Sequence, residues 1–541
     1  MTKRKGSFED ASVTKRARNN ASKPVDRLTS LSDEILIRVL HNLPLPTLLL
    51  VQTLSRQFQR LALDSELWKS LYYDRFVLPR ALRIPGMRPN LPPQFSSRKS
   101  KWLDDVGLVR KGRATNWKRQ YKLRHNWARG ACEVQEIDVD GEVTIPGMLV
   151  KLAESLVFTV DLNQGLRVWG LKEKRLIVGC SIEGVPTCLA IDGAVGRSIK
   201  ATIGFQDGSW GIWRFDTEDR SLKEEYRHPA SSTGTLIAIA CSSPYVLTIT
   251  GSQLLSLYTF QSLTVRDEGV GLAESEHNGE GDSSQITSSP RLLASLKSHT
   301  SWPPLSLSIR TTSTTLIASI AYSLPTYLSG YTVGLQELHL DLSSGEITFS
   351  RLTSALQQGF HSLLSSPASS SPPSGTTTPV SSSPASQILS RPTSLSYSHP
   401  YILAAHPDNT LTLYLCTSTA SSLSITPGIK LWGHTSSVSS AQITPRGKAV
   451  SVSTRGDELR VWELEGGLPT LSRKRALDAG LTDRSVRIRP EDLTTESGLD
   501  IDRWQEEADT HKRWVGFDDE LVIVLKEGST GNQALVVYDF T

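Results

Sequence analysis

The apolar positions of this 541-residue chain fall into two regimes. Between Leu31 and Tyr72 they recur at helical spacing; from about Ala131 they alternate in short runs separated by Gly, Asp, Asn and Ser. In the first regime Ile35, Leu36, Val39, Leu40 and Leu43 follow Ser32, Asp33 and Glu34. Ser32 is placed to N-cap that helix, the two acids sit at the positive end of its dipole, and Leu31 can staple against Leu36. Pro44 and Pro46 end it and open a second helix, with Leu48, Val51, Leu54, Phe58 and Leu61 on one stripe. A third starts at Asp64 and carries Leu67, Trp68 and Leu71. Three short helices in about 45 residues sit below the size at which a lone core is comfortable. Their apolar face therefore predicts a neighbour, either the rest of this chain or another protein.

In the second regime several alternating runs close on an aromatic: Trp169, Trp213, Tyr258, Tyr414, Trp462 and Tyr538, with a weaker run near His339. The intervals 169–213, 213–258 and 414–462 are 44, 45 and 48 residues, close to the roughly 40–45 of a four-stranded propeller blade. The longer intervals each contain an insertion: 261–290, acidic and rich in Gly and Ser; 351–392, rich in Ser, Thr and Pro; and 466–510, charged. Removing about 30–40 residues from each restores one period, so the pattern predicts about seven blades. The last run, closing on Tyr538, would be only a third strand, and the alternating segment Ala131–Val139 is the candidate for the fourth. Such pairing closes the ring and removes free sheet edges.

Leu31–Tyr72 resembles an F-box. Leu31, Glu34, Ile35, Leu43, Leu48, Val51, Ser55, Phe58, Leu61, Leu67 and Trp68 fall at the family's positions. Ser32 stands where proline is usual, and Phe58 where tryptophan is commoner. The resemblance implies docking onto the Skp-type adaptor of a cullin ubiquitin ligase, and makes Leu31, Glu34, Ile35, Leu43, Leu48, Val51, Ser55, Phe58, Leu61 and Trp68 the expected adaptor-binding residues. The repeats are similar to degenerate WD repeats. His228, His434 and His511 lie 30, 28 and 27 residues ahead of closing aromatics. In that family such a histidine precedes a blade's first strand and bonds back to the turn before the aromatic strand. Asp207 and Asp408 sit six residues before Trp213 and Tyr414, where the turn aspartate belongs, and Asp457 is offset by one. With Trp169, Trp213 and Trp462 these residues imply structural hydrogen-bond networks rather than catalysis. The expected fold is mainly β: a WD-repeat-like propeller over 131–541, preceded by a small α-helical F-box over 28–75 and a linker over 76–130.

Composition adds a few bounds. Lys and Arg total 59 against 55 Asp and Glu, too mild an excess to indicate a nucleic-acid partner. No run of about 18 apolar residues exists to span a membrane, and the N-terminus has no apolar leader segment. The five cysteines are scattered and never paired as CxxC, which favours buried thiols in a reducing compartment over disulfides or zinc. The tail, residues 1–27, reads as disordered. Its clusters Lys3, Arg4, Lys5 and Lys15, Arg16, Arg18 resemble a bipartite nuclear-import signal, so the nucleus is the expected location, with the cytoplasm second. In the joint, Trp102, Trp117, Tyr121 and Trp127 alternate with cations; this fits base stacking, but packing with snorkelling cations is favoured. Ser366, Ser371, Thr378 and Ser383 precede proline, in a loop open to phosphorylation.

No GxxxxGK[ST], GxSxG or HExxH occurs, so no catalytic role and no cofactor or metal is expected. The residues indicate a non-catalytic substrate receptor with an unidentified protein substrate. The alternative is a nuclear scaffold or RNA-associated propeller.

Overall fold

The computed structural model describes residues 28, 31–78, 116–139, 144–193, 198–260, 289–297, 302–312, 315–326, 330–342, 346–355, 390–455, 458–464, 485–490, 511–528 and 531–541. The chain divides into two compact units, Met1–Lys122 and Leu123–Thr541.

The first unit is helical. Its elements are α1 (Asp33–His41), α2 (Leu45–Val51), α3 (Arg56–Leu61) and α4 (Ser65–Tyr72), then one π-helical turn, Tyr73–Val77. Only three helices were expected. The predicted second one breaks because Ser55 is extended and its hydroxyl accepts the Phe58 N–H at 3.2 Å, which ends one helix and caps the next. Asp64 caps α4 by accepting from Glu66 and Leu67 N–H at 3.0 and 3.2 Å. Ser32 occupies the N-cap position of α1 but makes no side-chain cap bond; its hydroxyl engages Glu34 instead. Leu36, Leu40, Leu48, Phe58, Leu61, Leu67, Trp68 and Tyr72 form the core.

The second unit is a closed propeller of seven blades. Blade 1 runs through Leu149–Ala153, Leu156–Asp161, Gly165–Gly170 and Arg175–Cys180, and blade 2 from Pro186 to His228. Blades 3 and 4 span Leu236–Lys297 and Trp302–Ser354. Blade 5 starts at Ser394 and has a divided outer edge, Leu423–Ile425 and Ile429–Leu431, both paired to Leu411–Ser418. Blade 6 spans Val438–Arg487. Blade 7 combines His511–Phe517, Leu521–Glu527 and Gln533–Asp539 with Ala131–Val139, which pairs antiparallel in the register Val134↔Tyr538 and Ile137↔Leu535. The ring therefore closes through the segment singled out for it.

All seven period markers lie on third strands: Trp169, Trp213, Tyr258, His339, Tyr414, Trp462 and Tyr538. These strands are flanked by adjacent sheets, so their side chains bury on both faces. Leu166 and Val168 of blade 1, for instance, share a core with Ile203 and Phe205 of blade 2. Two insertion limits need correction. Ile347–Ser354 is strand through Ser354, so the Ser/Thr/Pro segment starts after it. Ser485–Arg487 is the outer strand of blade 6 and divides the expected insertion 466–510 in two; at three residues, Ser-Val-Arg, it is too short for apolar alternation to mark it.

The helix α5, Trp117–Arg129, straddles the boundary between the units. In the first unit Trp117 packs at a tilt against Tyr72, with ring centroids 5.5 Å apart, and the Tyr121 hydroxyl accepts from Arg75 at 2.6 Å. In the second unit Trp127 stacks on Phe540 at 3.9 Å and donates its indole N–H to the Asp519 carbonyl at 2.9 Å. Gly130, with φ +72°, turns the chain from α5 into the closing strand; a Cβ there would run into the Arg487 carbonyl.

Candidate functional site

The helical module has two apolar populations. On α1, Leu36 and Leu40 point into the core, while Ile35 and Val39, also four residues apart, point outward, Ile35 being 51% exposed. On α2 Leu48 is fully buried, but Leu49 and Leu50 are exposed, Leu50 at 66%. Leu54 is 70% exposed, and Leu31 and Leu63 are exposed as well. An apolar set of this size on so small a module marks a contact surface.

The expected adaptor-binding residues divide accordingly. Leu31, Glu34 and Ile35 are exposed; Leu43 and Val51 are half-buried. Leu48, Phe58, Leu61 and Trp68 are core, Trp68 being 3% exposed with its indole N–H on the Ala62 carbonyl at 2.7 Å. They scaffold the surface rather than form it, and Ser55 is a helix cap. Val39, Leu49, Leu50, Leu54 and Leu63 were not singled out as contacts. The available signal was apolar residues in excess of one helical stripe, as in the run Leu48–Leu49–Leu50. Glu34 stays ionised at the start of α1: its own backbone amide and the Ser32 hydroxyl hold its carboxyl below the usual range.

In the propeller one full network forms, in blade 6. Ser451 Oγ lies 2.6 Å from His434 Nε2 and accepts the Trp462 indole N–H at 2.8 Å. The acid of this network is Glu458: its Oε2 accepts the Thr435 N–H at 2.6 Å and lies 3.7 Å from His434 Nδ1. Asp457, the expected acid, lies outside the described residues. Burial pushes His434 down to about 4, against the pull of Glu458. Blade 1 keeps the indole bond, from Trp169 to Thr159 Oγ1 at 2.9 Å. Asp207 accepts from the Ser209 N–H and hydroxyl at 2.9 and 2.6 Å, and Asp408 from Thr410 at 2.6 Å, each pinning a turn. Trp213 packs edge-on against Phe205.

Two histidines depart from expectation. His228 ends the outer strand of blade 2 and stacks on Trp210 at 5.1 Å. Its Nδ1 lies 3.1 Å from the Tyr226 hydroxyl of its own strand, and residues 229–235 separate it from the next first strand. His511 opens the first strand of blade 7, and its Nδ1 is buried without a hydrogen bond. Trp302 and Trp432, which begin or precede first strands of blades 4 and 6, are exposed, Trp432 at 64%. The import-signal cations Lys3, Arg4, Lys5, Lys15, Arg16 and Arg18, with Trp102 and the Ser/Thr-Pro sites, lie outside the described residues. No described helix is long and apolar enough to cross a membrane.

A helical F-box-like module followed by a seven-bladed propeller is the build of an F-box substrate-receptor type protein; the F-box-like family description matches residues 30–74. Residues 132–541 match the description F-box protein pof12 beta-propeller, and the chain belongs to that family. F-box domains generally bind Skp1-type adaptors, and both kinds of domain are typically non-catalytic. No curated protein matches the chain. Among solved structures it is similar to the Cps50 (Swd1) β-propeller domain of Myceliophteria thermophila, at 12% identity, covering 74% of this chain and 98% of that one, with a TM-score of 0.37. It is also similar to BamB from Moraxella catarrhalis, at 10% identity, 75% and 99% coverage and a TM-score of 0.36.

Proposed function

We propose that this protein is the substrate-recognition subunit of an SCF-type ubiquitin ligase. The F-box docks on a Skp-type adaptor and through it joins a cullin; the propeller holds a protein substrate for ubiquitination and degradation. Its contribution to the reaction is proximity: a substrate held beside a ubiquitin-loaded enzyme reacts at raised effective concentration, with no catalytic group from this chain. The observation that carries the reading is the exposed apolar set Ile35, Val39, Leu49, Leu50, Leu54 and Leu63 on a module whose own core is already filled. Trp302 and Trp432 are the first candidates for substrate contact, since exposed Trp is the residue type richest in binding energy. The paired basic clusters of the tail support a nuclear location.

The test is co-purification: the tagged full chain should bring down a Skp-type adaptor and cullin together. A folded chain that recovers neither would end this reading. The RNA-associated alternative loses its stacking platform among the described residues, because Tyr121 and Trp127 are buried. Its remaining support would be binding that falls steeply with salt.

A further inference from the structure

Between blades 4 and 5 lies a group of side chains that neither the F-box nor the blade networks use. Glu337, on the third strand of blade 4, is 0% exposed. Arg310 donates to one of its oxygens at 2.6 Å; the other accepts from Ser418 at 2.6 Å and lies 3.3 Å from His339 Nε2. His399, in the turn after the first strand of blade 5, and Cys416, on that blade's third strand, complete a set whose ligand atoms all lie within 4.8 Å of one another.

The surroundings are polar, buried and incompletely bonded. His399 Nδ1 and Arg310 Nε are buried without a hydrogen bond, while the Tyr397 hydroxyl engages Ser319 and Cys416. Tyr397 is almost fully buried and lies where Cys416, Arg310 and Glu337 all act on it, so its hydroxyl is aimed into the group. Ser319 is the cross-strand partner of Glu337. One buried polar group without a partner costs about 1–3 kcal/mol. Two beside one buried carboxylate leave room for a ligand that is not a protein atom.

We propose that Glu337, His399 and Cys416 bind a thiophilic divalent cation of the Zn²⁺ class, tying blade 4 to blade 5. The donor types suit it: one carboxylate oxygen, one imidazole nitrogen and one thiolate are three of the four ligands of a tetrahedral zinc site. The carboxylate and the thiolate bring two negative charges to the cation, and Arg310, which keeps the second Glu337 oxygen, leaves the group with one net positive charge. Donors of a tetrahedral site lie about 3.5 Å apart, so the side chains close by about 1 Å on binding. The Cys416 thiol, which burial pushes up to about 12 when no metal is bound, releases its proton to solvent as the sulfur–metal bond forms. Burial also holds the His399 imidazole down at about 4, so it is neutral and free to ligate at pH 7. The location gives the bond a purpose. Blades 4 and 5 are joined by the longest connection between successive blades, from Ser354 to Ser394, and a cross-link there offsets the entropy of closing that loop.

The full chain, stripped with a chelator, is titrated with Co²⁺ and then with Zn²⁺. We expect a single thiolate-to-cobalt charge-transfer band that Zn²⁺ abolishes, and a higher unfolding midpoint with Zn²⁺ than without. Cys416→Ser should remove the band and His399→Ala should weaken it, while Cys180→Ser, on the outer edge of blade 1, leaves it unchanged. Folded wild type that shows no band and binds no Zn²⁺ overturns the proposal, leaving the unpaired groups to ordered water. A band that survives Cys416→Ser in folded protein overturns it equally.

Discussion

Two kinds of apolar-residue substitution in the helical module should behave in opposite ways. Leu50 and Leu54 are 66% and 70% exposed, so replacing both with Asp removes little internal packing. Stability should change by no more than about 0.5 kcal/mol each, as for surface sites generally. If both seat in the adaptor, the apolar area they cover is worth about 2–4 kcal/mol for the pair, a loss of roughly two orders of magnitude in Kd. Trp68 is the contrast. It is 3% exposed, bonded to the Ala62 carbonyl and edge-packed on Tyr121 at 5.5 Å. Trp68→Ala should cost about 3–5 kcal/mol, comparable with the whole stability of a module of this size, about 2–7 kcal/mol. Chemical unfolding followed by far-UV circular dichroism, beside adaptor binding by calorimetry, separates the two. A Leu50→Asp/Leu54→Asp protein that binds the adaptor normally would refute the docking surface. One that unfolds as readily as Trp68→Ala would refute the division into surface and core.

Ser55→Ala removes the cap that separates α2 from α3 and should cost about 1 kcal/mol in urea unfolding; no measurable change would mean the break is held elsewhere. His434 is neutral in the folded protein, with its pKa pushed from 6.5 to about 4 by burial. The unfolded chain therefore binds the extra proton first, and stability should fall as pH drops from about 6.5 towards 4, then level off. In His434→Asn the fall over that window should be shallower; parallel curves would show that this imidazole titrates freely. Gly130→Ala, at φ +72° and against the Arg487 carbonyl, should lower the propeller's unfolding free energy by at least about 1 kcal/mol in urea unfolding. Trp432→Ala should leave the unfolding free energy within about 0.5 kcal/mol while reducing substrate recovery in proximity labelling; unchanged recovery would remove it from the contact surface.

Much of the propeller was legible because its period is carried by one buried strand per blade. Third strands bury on both faces, so even His339 and Tyr538 kept the spacing although they are not Trp. The outer strands were not legible. Ser485–Arg487 is only three residues, Ser-Val-Arg, too short for any alternation to show. In blade 6 the carboxylate that meets the Thr435 N–H is Glu458, one position beyond the residue that counting singled out. In the F-box the family positions pointed to the right module but mixed core with surface. Leu48 and Leu50 are alike in sequence, and only the rotation of α2 sends one inward and the other to solvent.

The pairing of Val134 with Tyr538 also sets an order in time. The strand that completes blade 7 is made before the other six blades, and its partner Gln533–Asp539 after them. As the chain emerges, Ala131–Val139 must wait, its edge unpaired, for a segment nearly 400 residues further on. Contacts of such separation form slowly, and until they do the open ring exposes strand edges prone to wrong pairing. The helical module depends on no such partner. Its contacts are local and can form first, so a stalled or truncated chain would expose a folded adaptor-type module on a receptor that cannot close. For such a chain the hazard is occupation of a partner without delivery of a substrate.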